Sequence, residues 1–335
     1  MLRVPFFLQC LALFVCLSTP LFPEESSWVD PSPHRIRFVT VDDAVRLEVL
    51  DWGGKGRPIL LLAGGGDTAH VFDDFASKLT TFAHVYGITR RGFGASGYAT
   101  PDNVADRLGE DVLAVMNALK LEKPVLVGHS IAGAELSWIA NHHPQRVAGL
   151  VYLEAGYSYA FDNGKGASVM AMQALQAPQP PAPNKVDLAS FGTLANYYQR
   201  VNGFRTPEAE LRQERELDSN GTVGKELDFP GGAMFMKLIT GSPKYTAIPV
   251  PALFVFANPH SLGAWVDHNT DPAVETKAKA YSTELAALTA RQEDAVQNGV
   301  PNAHVISLQH AHHYVYLSNE EDIVREIRAF VSALK

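Results

Sequence analysis

Pro124-Val125-Leu126-Val127-Gly128-His129-Ser130-Ile131-Ala132-Gly133 runs an apolar, β-branched strand into small residues around one serine, and helical spacing then continues to Asn141. A serine on such a strand-to-helix turn holds a strained backbone, and its neighbours must be small if its hydroxyl is to project clear of the turn. Gly128, Ala132 and Gly133 meet that demand, with alanine where a second glycine is usual. Ser130 is therefore the candidate nucleophile, the alternative being an ordinary turn serine. The bare G-x-S-x-[GA] pattern is common; the strand before it and the helix after it give it weight.

On either side of this turn, from Arg35 onward, short β-branched runs alternate with longer helical patterns, the signature of a mostly parallel sheet covered by helices. Strands are expected at 35–41, 45–50, 59–62, 84–89, 124–127, 149–153, 252–257 and 304–308, the first two pairing as a hairpin through Asp42-Asp43. Helices are expected at 70–79, 104–119, 131–141, 273–298 and 320–334. In the second of these Leu108, Val112, Val115, Met116 and Leu119 recur at helical spacing.

An unactivated serine is a weak nucleophile and needs a base within hydrogen-bonding reach. In such an architecture the base follows the last strand, where His310, His312 and His313 cluster before the final helix. The distance to Leu317, Asn319 and the helix opening at Glu320 selects His313, with His312 as the alternative. No partner with convincing ligand spacing makes this cluster a metal site. The base needs a carboxylate to fix its tautomer and stabilise its cation. The turn after the penultimate strand, Phe256-Ala257-Asn258-Pro259-His260, contains no acid, whereas Val151-Tyr152-Leu153-Glu154 ends an apolar strand in one. The carboxyl end of a strand in such a sheet faces the ligand crevice, which favours Glu154 over the later Asp267 and Asp271. Oxyanion donors are expected from the Gly65 N–H, in the glycine run Gly64–Gly66, and from the Ile131 N–H. The run lacks the G-K-[ST] ending of a phosphate loop.

The chain has 335 residues, 46% of them hydrophobic and 19% charged, enough to bury a sizeable core. Its 28 basic residues are outnumbered by 36 acidic ones, for a formal charge of -8, and no basic run could track a phosphate backbone, which excludes nucleic acid as a partner class. Met1 to Phe22 carries one charge, Arg3, ahead of the apolar run Val4–Leu17, which reads as a secretory signal peptide and is short for a membrane span of about 20 residues. The expected location is secreted or periplasmic. Retention as an N-terminal anchor, the one route to a membrane, is the alternative. Both cysteines, Cys10 and Cys16, fall in this segment. A body cut after it has no thiol, disulfide or cysteine-bound metal.

Between Tyr157 and Pro249 no strand of comparable quality is expected, and the proline tract at 178–183 interrupts any element. Met170, Met172, Met234 and Met236 fall here among many aromatic residues, as expected of a helical insertion roofing an apolar pocket. Glu208, Glu210, Glu214 and Glu216 form a polar run expected to face solvent. The division expected is 1–23 signal peptide or anchor, 24–156 first part of the core, 157–249 helical cap and 250–335 second part of the core.

Leu61-Leu62-Ala63-Gly64-Gly65, Thr89-Arg90-Arg91-Gly92-Phe93-Gly94-Ala95-Ser96, the Ser130 turn and His313 together resemble the α/β-hydrolase superfamily, and within it the capped bacterial carboxylesterase-like group. The resemblance runs from about Arg35 to the C-terminus. It implies an eight-stranded, mostly parallel sheet with a helical cap after the sixth strand, and cleavage of a small apolar ester or lactone through a serine acyl-enzyme, with no cofactor and no metal. Two departures stand out: Ala63 replaces the histidine usual before the oxyanion glycine, and the acid moves to the Glu154 position, as in some lactone hydrolases. Other functions open on the same residues are an aminopeptidase, a cofactor-free haloperoxidase and a non-catalytic binding protein.

Overall fold

All eight β-branched runs become strands of one sheet: β1 (Arg35–Asp42), β2 (Val45–Gly54), β3 (Pro58–Leu62), β4 (His84–Ile88), β5 (Val125–His129), β6 (Gly149–Leu153), β9 (Ala252–Ala257) and β10 (Ala303–Leu308). The computed structural model describes residues 28–43, 45–241 and 244–335, and Ser32–Lys335 forms one compact unit. The expected signal peptide and both cysteines lie outside the described residues. Among these no helix is long and apolar enough to cross a membrane.

The strand order is β1-β2-β4-β3-β5-β6-β9-β10. β2 runs antiparallel to both of its neighbours, and the six strands from β4 to β10 are parallel. Alternate residues of the central strands feed two cores. Leu126, Leu150, Tyr152 and Phe254 face one side, where α2 (Val104–Ala118) and α3 (Ala132–His142) contribute Leu108, Val112, Val115, Leu136 and Ile139. Val125, Val127, Val151 and Val255 face the other, covered by α1 (Asp73–Leu79) and α11 (Glu320–Ala333) through Phe75, Leu79, Ile323 and Ile327. Both faces being covered, the strands read as apolar runs, which made them legible.

From β3 the chain steps to β4 on one side, whereas β5 lies on β3's other side and leads on toward β10. The loops leaving β3 and β5 therefore diverge, and a crevice opens at the carboxyl ends of these two strands. The Gly64–Gly66 loop and the Ser130 turn stand at that point.

Between β6 and β9 lies an insertion containing α4 (Val169–Gln173), α5 (Phe191–Asn202), α6 (Glu208–Glu214) and α7 (Gly232–Gly241). It is not wholly helical, which corrects the expectation: β7 (Arg215–Leu217) and β8 (Val223–Glu226) pair as a separate antiparallel hairpin. The cause is the turn joining them, where the Asp218 carboxylate accepts from the Asn220 and Thr222 N–H groups and Gly221 supplies a φ of +78°. Phe191, Leu194, Val201, Leu211 and Val223 give the insertion a small core of its own. After β9 come α8 (Ala264–Asp267) and the long α9 (Pro272–Gly299), and α10 (Val315–Ser318) precedes α11.

Candidate active site

Ser130 holds φ +52°, in the left-handed region a non-glycine residue seldom adopts, with its N–H donating to the Leu153 carbonyl at 3.1 Å. The turn is pinned to the end of β6 a second way, because a Cβ at Gly133 would lie 2.0 Å from the Ala155 carbonyl oxygen. Only glycine allows α3 this close to the loop carrying Glu154. Glu154 shares the strained conformation, at φ +50°, and is fully buried.

Its carboxylate is the most heavily bonded group of the site. The Ala257 N–H donates to Oε1 at 2.6 Å, and the Tyr157 hydroxyl lies 3.1 Å from Oε1 and 2.9 Å from Oε2. His313 Nδ1 approaches Oε2 at 3.2 Å, and His260 Nε2 approaches the same oxygen more closely. Burial works against the charge on Glu154, but the two imidazoles outweigh it and hold the carboxyl far below its ordinary range. An ionised carboxylate can only accept, so His313 carries a proton on Nδ1, which makes Nε2 the acceptor of the neutral ring. The His313 side chain is 39% exposed while Glu154 is 0% exposed, so the ring bridges the interior and the crevice.

The loop after β10 is tied to the serine turn by His129, whose Nε2 lies 3.1 Å from the His313 carbonyl and therefore donates to it. Tyr159, also buried, packs beside Tyr157 with ring centroids 6.3 Å apart. The alternative residues make different contacts. His312 is pushed down to about 3 by burial and by the neighbouring His313, and its ring packs on Phe204 and Tyr314. Asp271 caps α9 by accepting from the Ala273 N–H, and Asp267 borders an outer groove of about 450 Å³ that reaches His260.

Arg90 steadies the oxyanion loop. Its guanidinium donates to the Ala63 and Gly64 carbonyls at 2.8 and 2.9 Å and forms a bidentate pair with Glu135 of α3 at 2.9 and 2.8 Å. The loop after β3 and the helix after Ser130 are thereby fixed to one buried cation, which the sequence displayed in Thr89-Arg90-Arg91 without assigning it a task. Phe235 of α7 lies over Gly65, where an added Cβ would meet its ring at 2.2 Å. About 10 Å³ of free space remains among Gly65, Ile131, Phe93, Met234 and Phe235.

His260 and Glu210 went unassigned in the sequence. His260 follows Ala257 by three residues, in the turn that lacked an acid. Glu210 corrects the expectation of a solvent-facing run: it is fully buried and accepts from the Thr68 N–H at 2.7 Å and from the Thr68 hydroxyl, fastening the insertion to the loop after β3. Asp67 and Glu214 bring two more carboxylates to it, within 4.8 Å of one another. Burial, followed by the charge of Asp67, pushes Glu214 up to about 8.

Glu154, His260 and His313 also offer ligand types that a divalent metal accepts. Both imidazole nitrogens converge on one oxygen at hydrogen-bonding range, and Oε1 is taken by an N–H and a phenol. That is the arrangement of a hydrogen-bonded carboxylate. A cavity of about 630 Å³ lined by Lys123, Val147, Pro251 and Asn302 lies at the amino ends of the strands, remote from these side chains.

A family model described as the alpha/beta hydrolase fold matches residues 57–207. A non-heme haloperoxidase of Rhodococcus erythropolis is 34% identical over 123 residues, 35% of this chain and 43% of that protein. A bifunctional esterase/perhydrolase of Acinetobacter calcoaceticus is 29% identical over 111 residues, 32% of this chain and 40% of that protein. The chain thus spans less than half the length of either relative. The crystal structure of E-2-(acetamidomethylene)succinate hydrolase superposes with a TM-score of 0.59 at 19% identity, covering 90% of this chain and all of that one.

Proposed function

From a chain of the α/β-hydrolase superfamily, we propose a serine hydrolase that cleaves a carboxylic ester or lactone through an acyl-enzyme. The observation that carries this reading is the bond from buried Glu154 to half-exposed His313, on a loop that His129 ties to the strained Ser130 turn. Ser130 Oγ attacks the acyl carbon as His313 Nε2 takes its proton. The carbonyl oxygen, now negative, is held by the Gly65 and Ile131 N–H groups. Glu154 stabilises the imidazolium through Nδ1–H without taking the proton itself. His313 then protonates the departing alkoxide, and water, deprotonated by His313, opens the acyl-enzyme to return Ser130 and release the acid. The insertion serves as the cap, and its apolar residues Phe235 and Met234 select an apolar acyl group.

The names of the two relatives favour one second reading, in which hydrogen peroxide instead of water opens the same acyl-enzyme and releases a peracid.

The test is a panel of p-nitrophenyl esters, lactones and aminoacyl amides assayed with the parent and Ser130→Ala. Turnover of short to medium apolar esters, insensitive to EDTA and abolished by the substitution, is expected. Turnover that survives Ser130→Ala, or that chelation removes and a divalent metal restores, would overturn the proposal.

A further inference from the structure

Glu154 has two imidazoles on one oxygen, and the reaction derived above uses only one. His260 Nε2 is the closer of the two to Oε2. It stands in the turn after β9, three residues beyond Ala257, whose N–H holds Oε1. One turn therefore grips both carboxylate oxygens. The His260 side chain is 9% exposed and its Nδ1 has no hydrogen-bonding partner, so no other hydrogen bond competes with Glu154 for the ring.

A hydrogen bond donated to a carboxylate withdraws part of its charge, and a second donor to the same oxygen weakens what remains for the first. Resting on the triad read above, we propose that His260 is a positioning residue of the reaction: it shares Glu154 with His313 and limits how strongly that carboxylate stabilises a protonated His313. The other groups facing this trio are Tyr157 and Tyr159 from the insertion's first turn, Glu293 from α9, His312 and Tyr314 on either side of His313, and His129 on the serine turn. None of them donates to Oε2 except Tyr157, which divides its hydroxyl between both oxygens.

The sign follows from either charge state of His260. A neutral ring competes only by its hydrogen bond, and a cationic one adds repulsion toward the His313 imidazolium. Removing it strengthens the Glu154–His313 bond in both cases, so His313 holds its proton to higher pH. A free base is then available only at higher pH, and the acid limb of the kcat/KM profile moves upward.

The experiment compares the parent with His260→Ala and His260→Gln by pH–rate profiles on one ester and by NMR titration of the His313 ring. His260→Ala is expected to raise the His313 midpoint and the acid limb together by about one pH unit. His260→Gln, which keeps a donor without a titratable ring, should lie between the two and recover part of any plateau rate that alanine loses. An unchanged His313 midpoint, with a rate lowered equally at every pH, would reduce His260 to scaffolding and overturn the proposal. If His260→Ala fails to fold, the glutamine variant decides by the same midpoint. The NMR titration needs no turnover, so an inactive parent refutes the hydrolase reading while the midpoint still judges the sharing of Glu154.

Discussion

Glu154 occupies a position that constrains it more than a surface acid could be constrained. Its backbone is at φ +50°, its side chain is fully buried, and its two oxygens are met by an N–H, a phenol and two imidazoles. Glutamine in its place keeps the shape but turns one acceptor into a donor facing donors, and it cannot stabilise the imidazolium. Glu154→Gln is therefore expected to lower kcat by about 10²–10⁴, the scale of a triad-acid loss in a serine protease. Asp267→Asn and Asp271→Asn should stay close to the parent, since neither residue reaches His313. Values of kcat for the three variants on one ester at one pH, with folding checked by circular dichroism, decide the matter. A near-parental Glu154→Gln beside a collapsed aspartate variant would move the acid to the segment after β9.

Among the elements, the decisive contacts join pieces distant in sequence. Arg90, after β4, ties the loop after β3 to α3, and a buried ion pair of this kind costs about 3–5 kcal/mol when one partner is removed. α7 lays Phe235 on Gly65 and leaves almost no free volume beside Ile131. If these two N–H groups receive the oxyanion, the Phe235 ring sets how large an acyl group fits. Phe235→Ala should raise kcat/KM for an octanoyl ester relative to an acetyl ester by about tenfold or more, on the scale that a few methylenes contribute in an apolar pocket. An unchanged ratio would mean that the acyl chain leaves the site in another direction.

In the molecule as a whole, what the sequence revealed and what it concealed divide along a physical line. The strands were legible because both sheet faces are covered, and the places of Ser130 after β5, Glu154 after β6 and His313 in the loop after β10 were legible because the alternation of elements sets the order of those strands. His260 and Glu210 were not. Their partners lie 106 and 142 residues away in sequence, and no periodicity reports a contact made by one side chain across the fold. A polar run such as Glu208–Glu216 reads as solvated until a buried hydroxyl and N–H are found waiting for one of its members. The β7–β8 hairpin was hidden by brevity, since its strands hold three and four residues.

If Ser130 is the residue that forms the covalent bond, peptide mass spectrometry of the fluorophosphonate-labelled protein locates the adduct there. One equivalent of probe is expected on the peptide containing Ser130, none in Ser130→Ala, and much slower labelling in His313→Ala. Stoichiometric labelling of any other residue, or undiminished labelling of Ser130→Ala, would contradict the account.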